Sequence, residues 1–269
     1  MPDLARLALN TVTVRDQWTL AQCIEGCARH GIRWIEPWRD KIAEYGLANA
    51  AQHLRDAGLS VSAVCRGGLF TTGDYQAVLE DNRRAIDEAA ALGAKSLVIV
   101  AGGLPAGSRD LPAARRVVAG ALAELTPYAR AAGVTLALEP LHPMTCADRC
   151  VISTIAQALA FAQSLGTEVW LALDVYHIWW DPALESSIAA AAGRIAAFHV
   201  CDWLVPTRDT VFDRGMMGDG VIDIPRIRDL VESAGYTGTI GVEILSHDWW
   251  KRDPDEVLRI ATERFSTAV

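Results

Sequence analysis

Four side chains able to hold a cation, Glu139, Asp174, His199 and Glu243, each close a short apolar run. Val134-Thr-Leu-Ala-Leu leads into Glu139, Trp170-Leu-Ala-Leu into Asp174, Ile195-Ala-Ala-Phe into His199 and Thr239-Ile-Gly-Val into Glu243. Three carboxylates and one imidazole form an oxygen-rich donor set. It suits a hard divalent ion such as Mn²⁺, Mg²⁺ or Co²⁺ better than a thiolate-seeking one.

Such residues act together only if the elements that carry them converge. Side chains alternate along a strand, so Thr135 and Ala137 share a face with Glu139, Ala172 with Asp174, Ala197 with His199 and Gly241 with Glu243. The opposite face carries Leu136, Leu138, Leu171, Leu173, Phe198, Ile240 and Val242. Small residues inward and bulky apolar ones outward describe a closed parallel barrel covered by helices.

The whole chain repeats this unit. Strands are expected at Leu4–Asn10, Ile32–Glu36, Ser60–Cys65, Ser96–Ala101, Val134–Glu139, Val169–Asp174, Ile195–Cys201 and Thr239–Leu245. Helices are expected at Thr19–His30, Leu47–Ala57, Tyr75–Leu92, Pro112–Ala132, Ser153–Leu165, Pro182–Ala192, Pro225–Ala234 and Pro254–Phe265. All but the last of these helices stop before a glycine, the usual left-handed stop. Eight units in 269 residues average about 34 residues each, which predicts one (β/α)₈ TIM-barrel domain over residues 1–269.

Composition narrows the function. A net charge of −8 and a pI near 5.3 argue against nucleic acid as the main ligand. Apolar runs are too short to span a membrane, and the N-terminus lacks a signal-peptide pattern, so a cytoplasmic protein is expected. The six cysteines are then expected to be free thiols, and their C-x₃-C pairs do not match a zinc knuckle. No G-x-G-x-x-G follows the first strand. Gly215-Met-Met-Gly-Asp-Gly220 reads as a turn-forming loop at the barrel mouth.

The motifs Leu138-Glu-Pro-Leu-His142, Leu173-Asp-Val-Tyr-His177, Phe198-His-Val-Cys-Asp202 and Gly241-Val-Glu243 give the chain its resemblance to a known family. It resembles the xylose isomerase-like TIM barrel superfamily, and within it the sugar phosphate isomerase/epimerase group that includes inosose isomerase and ketose 3-epimerases. The resemblance implies one divalent metal, most often Mn²⁺ with Mg²⁺, Co²⁺ or Zn²⁺ as alternatives, bound by Glu139, Asp174, His199 and Glu243. It also implies proton transfer by Glu139 and Glu243, and contact of His177 with substrate hydroxyls. The reaction implied is isomerisation or epimerisation of a sugar or keto-inositol by proton abstraction next to a carbonyl, through a metal-stabilised enediolate.

Three departures from the family pattern bear on the substrate. The family's epimerases carry a second glutamate shortly after the first ligand, where this chain reads His142-Pro-Met-Thr145. His142 stands where relatives often carry asparagine, which offers a further base. Val205 stands where an arginine is common, leaving Arg208 and Arg214 as substitutes. A lyase acting on 3-keto glycosides, as in C-glycoside deglycosidase catalytic subunits, is therefore the alternative. Glu36, Trp179 and Trp203 complete the expected substrate contacts, with a salt bridge from Glu36 to Arg66 as a second possibility. The mouth is expected to select a neutral carbohydrate by shape and aromatic contact, without a phosphate cradle. A homo-oligomer or a small accessory subunit is a possible assembly.

Overall fold

The computed structural model describes residues 2–166 and 169–269. Its strands are β1 (Leu7–Asn10), β2 (Trp34–Glu36), β3 (Ser60–Val61), β4 (Ala63–Gly68), β5 (Ser96–Val100), β6 (Thr135–Leu138), β7 (Val169–Asp174), β8 (Ile195–Val200), β9 (Asp202–Trp203), β10 (Arg214–Gly215) and β11 (Ile240–Val242). Nine of them form a parallel sheet in the order β3-β2-β1-β11-β8-β7-β6-β5-β4. Only Ser62 separates β3 from β4, so the two ends of the sheet are one run of chain. Beyond it the Cys65 amide donates to the Pro37 carbonyl at 3.1 Å, and Trp38 bridges to Cys65. The sheet thereby closes, and the expected (β/α)₈ barrel is the fold.

The expected strands all form, with shifted ends. Leu4–Arg6 is a 3₁₀ turn rather than strand, and the third strand is interrupted at Ser62. Thr239–Leu245 contracts to β11, and the chain beyond it turns toward Thr13, whose hydroxyl accepts from the Ile244 amide at 3.0 Å. Helices begin at side-chain caps: Thr19 and Gln22 make a reciprocal capping box, and Asp74, Asp110, Asp223 and Asp253 each accept a first-turn amide. The expected glycine stops Gly31, Gly58, Gly93, Gly133, Gly166, Gly193 and Gly235 all have positive φ. Helices at Arg39–Tyr45 and Val175–Ile178 were not expected. No helix among the described residues is long and apolar enough to cross a membrane.

Burial follows the predicted parity. Leu136, Leu138, Leu171, Leu173, Phe198, Ile240 and Val242 belong to the large core between sheet and helices. Ala63, Cys65, Val98, Ala137, Ala172 and Ala197 form a separate small cluster lining the barrel. Each large outward side chain contributes about 1.5–3 kcal/mol through burial. The outer layer thus carries the stability and leaves the inner face free to end in polar groups.

Gly241 shows how tight that inner face is. A Cβ there would lie 2.4 Å from Glu36 Oε2 and 2.8 Å from His199 Cδ2. Gly241→Ala is expected to lower stability by about 1–3 kcal/mol through overpacking, and to displace the His199 ring. Gly120→Ala is the control: it lies mid-helix with only the Tyr75 hydroxyl near, at 3.5 Å, and should stabilise by about 0.5–1 kcal/mol. Urea denaturation of both variants checks the pair.

Candidate metal centre

The strand ends deliver their polar residues to one point. Glu139, His199 and Glu243 place one ligand atom each within 4.8 Å of one another, and all three are buried. His199 Nδ1 lies 3.8 Å from Glu139 Oε1 and 3.9 Å from Glu243 Oε2. Its Nε2 lies 3.1 Å from Glu36 Oε2, without the alignment of a hydrogen bond. Glu139 Oε1 and both His199 nitrogens are therefore buried polar atoms with no hydrogen-bond partner among the described residues. Such atoms are costly unless something else satisfies them. Burial alone would lower the His199 pKa, but the negative charges of Glu36 and Glu243 outweigh it and hold it well above the ordinary histidine value.

Asp174 is the fourth expected ligand, and the structure places it differently. It is fully buried and pairs with His199 in the β7–β8 register, yet it is not within the three-residue group. Its Oδ2 accepts from Arg214 Nη1 at 2.7 Å and its Oδ1 accepts from the Tyr176 amide at 2.9 Å. The latter bond starts the short Val175–Ile178 helix. Burial pushes the Asp174 carboxyl up to about 6 against the opposing pull of Arg214. Burial would discharge Arg214 too, but Asp174 beside it keeps the guanidinium firmly charged.

Arg214 is the residue of its loop that reaches the centre. Nη1 also donates to Glu243 Oε2 at 3.1 Å, and Nη2 lies 3.3 Å from His177 Nε2. Its position depends on Asp202. β10 pairs antiparallel with β9, and the Asp202 carboxylate accepts amides from Gly218 (3.0 Å), Gly220 (2.8 Å) and Ile222 (3.0 Å). The glycine-rich stretch is thus the clasp that holds Arg214 inward. Gly220 must be glycine, because a Cβ would lie 2.2 Å from the Trp203 carbonyl oxygen.

His177 is buried and lines the central space as expected. Burial, with Arg214 and Arg149 adding repulsion, drives its pKa well below the ordinary value, so the ring is neutral. Its Nδ1 accepts the His142 amide at 3.1 Å, and its Nε2 faces the Arg214 Nη2 donor at 3.3 Å.

Other expected contacts fall elsewhere. Glu36 is 2% exposed and lies behind His199, accepting from Ser62 Oγ at 2.9 Å and Asn10 Nδ2 at 3.4 Å. No Glu36–Arg66 salt bridge forms; Arg66 lies over Trp38 instead. Arg208 is an exposed side chain paired with Asp213 and, at 2.6 Å, with Asp248. Trp203 stacks on Tyr176 at 4.5 Å and packs against Trp179 at 5.8 Å. The His142 ring lies against Trp203 at 4.9 Å, with Nδ1 accepting the Met144 amide. Arg208, Trp179, Trp203 and His142 do not line the central space, because this aromatic stack fills its own volume beside the barrel mouth.

Sequence reasoning missed three residues. Asn10 ends β1 by the same rule as the ligands, and its Nδ2 donates to Glu243 Oε1 at 3.0 Å while its Oδ1 accepts from Trp38 Nε1 at 2.7 Å. Arg66, at the end of the third strand, and Arg149, in the loop after β6, line the central space with Glu139, His177 and Glu243. That space is only about 20 Å³ and opens to a cleft of about 410 Å³ lined by Trp38, Arg66, Arg149, Leu245, Phe212 and Trp250 among others. The polar end of the β1 run was the signal for Asn10; no sequence signal marks Arg149.

The Asp202 clasp generates a prediction. Asp202→Asn turns one acceptor oxygen into a donor facing amide N–H groups, at a cost of about 2–4 kcal/mol. Amide exchange at Gly218, Gly220 and Ile222 should accelerate selectively. Unchanged protection measured by hydrogen exchange would show that the loop holds Arg214 by other means.

Comparison with known proteins places this architecture. Inosose isomerase of Bacillus velezensis is 26% identical over 289 aligned residues, covering 98% of this chain and 97% of its own. A solved structure from Sinorhizobium meliloti 1021 is 50% identical with a TM-score of 0.97, covering 99% of each chain. The IOLI protein, solved with a bound zinc atom, superposes with a TM-score of 0.87 at 23% identity over 98% of each chain. The family model described as a xylose isomerase-like TIM barrel matches residues 24–265, and this chain, with its ligand-type residues at the C-terminal ends of the barrel strands, belongs to that family.

Proposed function

We propose that this protein is a divalent-metal-dependent isomerase or epimerase of a sugar or keto-inositol, acting by proton transfer at the carbon next to a carbonyl. The observation that carries this reading is the trio Glu139, His199 and Glu243, in which Glu139 Oε1 and His199 Nδ1 are buried and without hydrogen-bond partners among the described residues, at the foot of an open cleft. The name of the inosose isomerase relative supports the substrate class. These residues fit a cation, and Asp174 is the fourth ligand we propose. Manganese suits the oxygen-rich set; zinc is the ion of the IOLI relative. When bound, such an ion supplies a Lewis acid that polarises the substrate carbonyl and makes the neighbouring proton more acidic.

The two glutamates are not equivalent. Both Glu243 oxygens accept hydrogen bonds, from Asn10 and from Arg214. Glu139 Oε1 accepts none. Glu139 is accordingly the group that removes and keeps the proton, and Glu243, in its protonated form, is the group that delivers another to the opposite face when the reaction inverts a centre. His177, neutral and lining the central space, contacts a substrate hydroxyl. Arg214 orients Glu243 and Asp174 through hydrogen bonds from Nη1 to both carboxylates. The lyase alternative would use His142 as the base, but that ring packs against Trp203 away from the central space.

Glu139→Gln and Glu243→Gln should each reduce turnover by about 10²–10⁴ while keeping bound metal. Exchange of the substrate α-proton with deuterated solvent should stop in Glu139→Gln, and His142→Ala should leave it running. Undiminished exchange in both glutamine variants, with metal content verified, rules out the carboxylate mechanism. Asp174→Ala tests the fourth ligand: metal content equal to wild type would remove Asp174 from the set.

A further inference from the structure

We infer that Arg66 and Arg149 form an anion-binding subsite beside the metal centre, so that the substrate carries a carboxylate or phosphate group. The inference rests on the function proposed above and specifies its substrate class; it replaces the neutral carbohydrate expected from sequence.

The charge pattern of the mouth points to it. Other arginines around this end of the barrel are matched: Arg15 to Asp40, Arg39 to Asp81 and Glu88, Arg208 to Asp213 and Asp248, Arg214 to Asp174 and Glu243. Neither the Arg66 nor the Arg149 guanidinium has a carboxylate or hydrogen-bond acceptor among the described residues, and Arg66 Nε is itself buried and unpartnered. Both line the inner space and the cleft above it. They are not simply counter-charges for the acidic centre, because Glu139 Oε1 and Arg66 Nε both remain without hydrogen bonds although they border the same space.

Arg66 is also held in place. Its guanidinium lies 5.9 Å from the centroid of Trp38, and the Trp38 indole is tied by Nε1–H to Asn10. Burial and the like charges of Arg66 and Arg214 push the Arg149 pKa down, a repulsion that a bound anion would relieve. Two planar guanidinium groups with free N–H donors are suited to grip the oxygens of a carboxylate or phosphate. Their place between the centre and the cleft puts the anionic group a short reach from the reacting carbon.

Calorimetric titration of the metal-loaded protein tests this with inorganic phosphate, fructose, fructose 6-phosphate and fructuronate. Phosphate should bind, and the Arg66→Gln/Arg149→Gln double variant should weaken it at least tenfold. Whichever of the two charged ketoses binds more tightly than fructose identifies phosphate or carboxylate as the group. Phosphate binding that persists in the double variant, or no anion binding at all, overturns the subsite. A variant-free readout guards against misfolding: phosphate should protect Arg66 and Arg149 of the wild-type protein from phenylglyoxal, and unprotected arginines would equally overturn it. Solvent exchange and metal content report on the proposed function separately, so either reading can fail while the other stands.

Discussion

Four carboxylates, Glu36, Glu139, Asp174 and Glu243, lie at most 6% exposed around the fully buried His199. Removing an ionised carboxylate from water costs several kcal/mol unless a charge or hydrogen bonds replace the lost hydration. Each of the four meets that demand differently. Glu36 has Ser62 and Asn10, Asp174 has Arg214 and the Tyr176 amide, and Glu243 has Asn10 and Arg214. The Glu139 carboxylate accepts no hydrogen bond among the described residues, and its Oε1 is buried. Among the four carboxylates and His199, the unpartnered buried atoms of the described residues belong to Glu139 and His199, where a cation would complete them.

This demand explains why distant stretches belong to one centre. Arg214 enters because Asp202 gathers three amides of the glycine-rich loop. Asn10 enters from the first strand and orients the Glu243 carboxylate with its amide nitrogen and Trp38 with its amide oxygen. A glycine-rich connecting loop is thus part of the electrostatics of the centre. Positioning residues of this kind set the orientation and charge state of the groups they touch.

The barrel separates stability from chemistry. Large apolar side chains pack between sheet and helices, while alanines, Cys65 and Val98 fill the inside. An interior this narrow leaves about 20 Å³ at the centre, roughly the room of one small ion or water. Larger ligand parts must sit in the cleft above, where Trp38 and Trp250 are joined by Arg66 and Arg149. The tryptophans that follow β7 and β8 instead stack among themselves and with Tyr176 and His142, and serve as scaffold.

Local patterning determined the barrel and the strand ends that supply its polar residues. Period-two alternation of small and bulky residues, and glycines at helix stops, are consequences of backbone geometry and need no knowledge of distant contacts. That is why Glu139, Asp174, His199 and Glu243 were legible as a group of strand ends, whereas His177 was marked only by the family resemblance. Which of their atoms are already engaged was decided only in three dimensions. Asp174 faces Arg214, a partner 40 residues away, and Glu36 faces His199 rather than Arg66. Trp203 turns onto Tyr176, whereas Arg149 arrives in the cleft from a loop without any pattern to mark it. Charge pairing and aromatic stacking depend on distances between segments remote in sequence, and those distances exist only once the sheet has closed.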